Sequence, residues 1–114
     1  MSGIEDWPAY NASLRERGKE FSTLAPEAMK GFQALSRGAS TTKHLDAKTR
    51  EMIALAVAVT TRCEGCIDAH ARKARAAGAS KEEVAEALGV AIALNAGAAL
   101  TYSLHVLDAL DEAK

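Results

Sequence analysis

Glu51-Met52-Ile53-Ala54-Leu55-Ala56-Val57-Ala58-Val59-Thr60-Thr61-Arg62-Cys63-Glu64-Gly65-Cys66-Ile67-Asp68-Ala69-His70 is the stretch on which the fold of this chain turns. It carries both cysteines, one of the three histidines, and a carboxylate at the start of an apolar run. Ala, Leu and Met favour helix over residues 47 to 60, with no Gly or Pro to interrupt them. A second Pro-free stretch suited to helix runs from about Cys63 to Ala77. Thr60-Thr61-Arg62 links the two, and Thr is a fair N-cap. Helices joined by so short a link usually lie antiparallel. Folding the chain about residue 61 sets Glu51 opposite His70 and Leu55 opposite Cys66. Cys66 and His70, four residues apart, share one helix face. Thiol, base and orienting carboxylate then fall in line, the general pattern of an activated nucleophile.

Glu51 stands twelve residues before Cys63, Cys63 to Cys66 is a Cys-x-x-Cys, and His70 follows the second cysteine by four. This spacing resembles the alkylhydroperoxidase D/carboxymuconolactone decarboxylase family. The lead-in from Leu45 to Glu51, the Gly78-Ala79-Ser80 turn and the Asn95-Ala96-Gly97 break are similar to it as well. The resemblance covers about residues 24 to 110. It implies a thiol-dependent peroxidase or disulfide oxidoreductase, with Cys66 meeting the peroxide and Cys63 resolving it as a disulfide. It also implies a homotrimer or homohexamer. Some redox members of the family carry a histidine immediately before the second cysteine. Here that position is Gly65, so a relay through that imidazole cannot operate.

The rest of the composition is ordinary for a globular domain. The chain has 114 residues, 48% of them hydrophobic and 25% charged, with a formal net charge of −1. That length is one domain with one core. Near-neutral charge offers no electrostatic case for nucleic acid or an anionic membrane. Aromatic residues make up only 4%, so the core rests on aliphatics and Ala. Such helices bury little area each, which favours completing the core by oligomerisation. The apolar, small-residue run from Leu88 to Leu100 is the surface expected to serve for this. With Asn95 inside it, that run is shorter than the ~20 residues of a spanning helix. The first eight residues have no basic region and no apolar signal-peptide core. A cytoplasmic protein is expected, where a cysteine pair is more often catalytic or metal-binding than a structural bridge.

A Cys-x-x-Cys dithiol can close and reopen by exchange, so it carries two electrons and needs no further cofactor. Oriented amides at a helix N-terminus favour the thiolate of Cys63, and His70 one turn on favours that of Cys66. This physics alone does not choose the attacking sulfur. The candidate site is Cys66, Cys63, His70 and Glu51, with no metal assigned. The partners expected are a small-molecule hydroperoxide and a dithiol or thiol-protein reductant. Three other readings compete. Zinc on Cys63, Cys66 and His70 lacks a fourth ligand in a finger-like spacing. A lactone decarboxylase of the wider family has no evident need for a paired thiol. A non-catalytic helical assembly module leaves the register of Glu51, the cysteines and His70 unexplained.

The remaining chain is read as helix throughout, with no strand-period segment of useful length. Residues 1–25 are an N-terminal helical extension, amphipathic from Tyr10 to Phe21, with Trp7 as an anchor on this domain or a neighbour. Residues 26–114 form the family-like all-α domain, a bundle of five to six helices around the central hairpin. Pro26 starts a helix whose Met29, Phe32 and Leu35 are assigned to the core, and Gly38 is expected to end it. Asp46 is the expected cap of the central helix, which should be buried all round from Met52 to Val59. Gly78 is the expected stop after the cysteine helix, and Ser80 with Glu83 forms a capping box. Asn95-Ala96-Gly97 is expected to kink or break the C-terminal helical run. His44 and His105 are left without chemistry.

Overall fold

The computed structural model describes residues 5–114, and the first four residues of the extension lie outside the described residues. The described chain is all helix: α1 (Trp7–Leu24), α2 (Pro26–Ser40), α3 (Ala47–Thr61), α4 (Glu64–Ala76) and α5 (Lys81–Glu112). Caps written in the sequence set most boundaries. The Asp6 carboxylate accepts from the Ala9 amide at 3.0 Å and opens α1. Pro26 pushes Ala25 out of the helical region (φ −137°, ψ 68°), so one residue separates α1 from α2. Asp46 accepts from the Thr49 amide at 2.8 Å and opens α3. Ser80 and Glu83 exchange hydrogen bonds of 3.0 and 2.9 Å, a capping box at the head of α5. After α4, Gly78 takes φ 89°, and the Ala79 amide reaches back to the Ala74 carbonyl at 3.0 Å.

The cap of α4 differs from expectation. Thr60 and Thr61 complete the last turn of α3, where both hydroxyls donate to carbonyls one turn back. Arg62 turns the chain in the left-handed region, φ 57°. The N-cap of α4 is Cys63, whose Sγ accepts from the Cys66 amide at 3.2 Å. The end of α2 also runs past Gly38 to Ser40, because the Ser40 and Thr41 hydroxyls donate to the carbonyls of Ser36 and Arg37.

α3 is the central element, packed on α4 and on the first half of α5, while α1 packs on α2 and α4. The buried apolar residues among those described are Leu55, Ala58, Ala74 and Ala91. They lie where α3 packs on α4 and on α5. Ala at three of them lets the helices approach closely, as an Ala-rich, aromatic-poor composition requires. The all-round burial expected of α3 does not occur within one chain, where Ile53 and Val57 are 49% and 54% exposed. Phe32 and Leu35 of α2 are likewise outside the core, at 64% and 76% exposed.

α5 runs unbroken for 32 residues, without the expected kink. Asn95 stays within the helix because its amide finds two acceptors, the Ala91 carbonyl one turn back at 2.7 Å and the Thr60 hydroxyl of α3 at 2.9 Å. Continuity makes α5 long and apolar enough, by length and composition alone, to cross a membrane. The shorter span anticipated from the sequence rested on the break. From Ile92 onward every residue of α5 is exposed. The molecule is accordingly extended: the radius of gyration is 18.2 Å, against about 13 Å for a compact chain of this length. The accessible surface is 9057 Å², against roughly 6,000 Å² for a compact chain of 12.0 kDa.

Candidate active site

The α3–α4 hairpin has the register anticipated by counting. Glu51, in the second turn of α3, faces His70, in the second turn of α4. Their side chains meet at 2.6 Å, Glu51 Oε1 to His70 Nδ1. Glu51 is 8% exposed, the one charged residue among the buried set. A carboxylate so placed needs a partner, and the imidazole supplies it. A carboxylate only accepts, so the contact assigns the ring proton to Nδ1 and leaves Nε2 as the basic nitrogen. Glu51 is therefore inside the fold and turned away from solvent.

Cys63 and Cys66 form a disulfide with their Cα atoms 5.2 Å apart. The first turn of α4 accommodates this bridge because Cys63, as cap, is extended (φ −104°, ψ 99°) while Cys66 is already helical. Cys66, His70 and Glu51 together line a cavity of about 570 Å³. Its walls come from α2, the α2–α3 link, α3 and α4, with Phe32, Leu35, Val57 and Ala58 among the apolar lining. Cys63 is not part of that lining. The two sulfurs are thus distinguished by position, one at the cavity and one at the turn behind it.

Gly65 has a neighbour that the sequence did not reveal. A Cβ at position 65 would stand 3.0 Å from Leu14 Cδ1 of α1. α1 lies over the cysteine turn, and a side chain at 65 requires Leu14 to shift. Trp7 is also engaged with its own domain, lining a second cavity with Ile67 and Ala71 of α4. The amphipathic period of Tyr10 to Phe21 is legible in the sequence, but the partner of Leu14 is not, because contacts between distant segments leave no local pattern.

The other histidines stay outside the cavity lining. His105 lies on the exposed half of α5, its ring edge-on to Tyr102 at 5.0 Å. Among the described residues, no three His, Cys, Asp or Glu side chains gather as a metal-holding group in this disulfide form.

Charges outside the site fasten the frame. Lys48 at the start of α3 pairs with Glu83 at the start of α5 at 2.8 Å. The hydrogen bond from Lys48 holds the Glu83 carboxyl below its ordinary pKa and, reciprocally, raises the Lys48 ammonium above its own. Asp46 is also lowered, chiefly by the hydrogen bonds it accepts from Thr49.

Comparison with known proteins places the chain in a family and matches its fold. The chain is 53% identical over 104 residues to an uncharacterized protein of Haemophilus influenzae, covering 91% of this chain and 92% of that one. It is 42% identical over 105 residues to uncharacterized protein 4 in the cox locus of Paracoccus denitrificans, covering 92% and 91% of the two chains. A crystal structure of a carboxymuconolactone decarboxylase family protein from Legionella pneumophila, in its apo form, superposes with a TM-score of 0.73 at 33% identity. That match covers 96% of this chain and 97% of the other. The sequence profile of the carboxymuconolactone decarboxylase family matches residues 26–109, all four candidate site residues included. On sequence and on fold alike, this chain belongs to the carboxymuconolactone decarboxylase family.

Proposed function

We propose that the protein is a thiol-dependent peroxidase that cycles between the Cys63–Cys66 dithiol and its disulfide. The observation that carries this reading is positional. Cys66 lines the cavity beside the Glu51–His70 pair, while Cys63 sits bonded to it from behind. In the reduced protein, Nε2 of His70 takes the Cys66 proton, and Glu51 holds the ring and stabilises the imidazolium. The Cys66 thiolate attacks the terminal oxygen of R–O–OH. The O–O bond breaks, a sulfur–oxygen bond forms, and the departing alkoxide leaves as an alcohol with the proton from His70. Cys66 is then a sulfenic acid. The Cys63 thiolate attacks that sulfur, the disulfide closes, and the oxygen leaves as water. A dithiol reductant reopens the bridge by exchange and is itself oxidised to a disulfide. Such a cycle suits a reducing, cytoplasmic setting.

The active form is a closed homo-oligomer, a trimer or a hexamer, built on the outer half of α5. The support is the surface left over. One chain exposes roughly 3,000 Å² more than a compact protein of its mass, and a standard interface buries about 800 Å² per partner. Several interfaces per subunit account for that excess, and closed symmetry satisfies them without leaving an open edge.

The test of the catalytic cycle is peroxide consumption with dihydrolipoamide as reductant, run beside zinc analysis of the same preparation. Turnover by zinc-free protein is the expected result. Stoichiometric zinc without turnover overturns it.

A further inference from the structure

We infer that the hydroperoxide taken by this cavity is an anionic amphiphile, an apolar chain ending in a carboxylate, as in a fatty-acid hydroperoxide. The inference rests on the peroxidase reading above and specifies its substrate class. Three features of the lining lead to it. The body of the cavity is apolar, with Phe32 and Leu35 on one side and Ile53, Ala54 and Val57 on the other. An alkyl chain fits such walls, and each methylene buried there tightens binding about fourfold. Hydrogen peroxide would gain nothing from them.

The second feature is charge. Arg50 and Lys73 line the same cavity, and neither makes an ion pair among the described residues. Arg50 Nη1 donates instead to a neutral group, the Thr42 hydroxyl at 2.8 Å, which in turn donates to the Leu45 carbonyl at 2.6 Å. The guanidinium is thereby held in place, with Asp46 acting on it only through space and no carboxylate bonded to it. Glu51 is the one carboxylate in the lining and is engaged by His70. The cavity therefore carries two cations and no free anion, which favours a ligand with a negative end.

The third feature is distance. Cys66, His70 and Lys73 succeed one another along one face of α4. Seven residues of helix separate Cys66 from Lys73, about 10 Å of axial rise. A carboxylate held by Lys73 and Arg50 then leaves about that length of apolar body before the peroxide reaches Cys66. A short neutral hydroperoxide cannot span it. The step at sulfur is unchanged: the O–O bond breaks, Cys66 takes the terminal oxygen, and the product is the corresponding hydroxy acid.

Full-length protein, in whatever assembly it forms, should be assayed with linoleic acid hydroperoxide and with its methyl ester. The wild type is expected to favour the acid in kcat/KM by about tenfold, and added salt should narrow the gap. In Arg50→Gln and Lys73→Gln the acid-to-ester ratio should fall by about three- to fivefold each, and in the double variant to near one. Equal kcat/KM for acid and ester in the wild type overturns the inference, as does a ratio that neither variant moves. Binding of redox-inert octanoate and octanol, measured by calorimetry, separates this inference from the catalytic reading. If no hydroperoxide is consumed but octanoate binds more tightly than octanol and loses about fivefold in each variant, the anionic site stands and the peroxidase reading falls. If octanoate and octanol bind alike, the anionic site falls whatever the turnover.

Discussion

Replacing Glu51 by Gln changes one oxygen for an amide nitrogen at the most constrained contact of the site. The shape is kept, so the side chain still fits a position that is 8% exposed. Two things are lost. The negative charge that stabilises the imidazolium disappears, and a hydrogen bond to a charged group contributes about 1.5–3 kcal/mol, or roughly ten- to 150-fold in rate. The Gln amide also donates, and a donor placed 2.6 Å from Nδ1 favours the tautomer with its proton on Nε2. That nitrogen then cannot take the Cys66 proton, and placed-base catalysis supplies about 10²–10⁴-fold. A loss of at least about 10² in the first oxidation step is therefore expected. The assay is single-turnover oxidation of reduced protein by a hydroperoxide, followed by mass spectrometry of the thiols. The thiolate fraction of Cys66, read by ultraviolet absorbance across pH, should shrink in parallel. His70→Gln should act similarly, and the double variant should cost little more than either change alone, because residues acting as one unit are lost together. A Glu51→Gln protein that melts like the parent and oxidises at the parent rate refutes the relay, leaving the carboxylate as packing for an inert histidine.

Cys66→Ser should abolish peroxide reduction, whereas Cys63→Ser should complete one oxidation and stop at a Cys66 sulfenic acid visible by mass spectrometry; the opposite pattern reverses the two roles. Leu104→Asp sets a charge into the exposed apolar half of α5, so light scattering should show dissociation to smaller species at micromolar concentration. A wild-type monomer there, or one that stays soluble only in detergent micelles, removes the oligomer reading and in the second case favours a membrane role for α5. Leu55→Ala empties the centre of a thin core and should cost about 2–5 kcal/mol in denaturant unfolding. Glu83 and Asp46 have folded pKa values below their ordinary 4.5 and 3.8, so their stabilisation is full above those values and is lost as pH falls through the folded ones. Lys48, raised above 10.5, keeps its contribution below that value and loses it as pH rises through the folded pKa. Lys48→Met should therefore flatten the acid limb of the melting curve that Glu83 produces.

Much of this molecule is determined locally and is legible residue by residue. Asp46, Ser80 with Glu83, and Gly78 act on the backbone within a few positions, so their caps and turn can be read from sequence. The Glu51–His70 contact, nineteen residues apart, was also legible, because a rigid two-helix hairpin converts sequence distance into spatial register. Where local rules compete, tertiary structure decided. Cys63 caps α4 in place of Thr because its sulfur is held at the turn by the bridge to Cys66. Asn95 continues α5 because Thr60, on another helix, takes one of its donors. The meeting of Leu14 with Gly65, and the gathering of Arg50, Phe32 and Lys73 around one cavity, depend on how separate helices dock. Periodicity marks which residues are apolar, but what covers them is fixed by the packing partner. That is why Ile53, Val57, Phe32 and Leu35 read as core, and yet in the single chain stand open to a cavity.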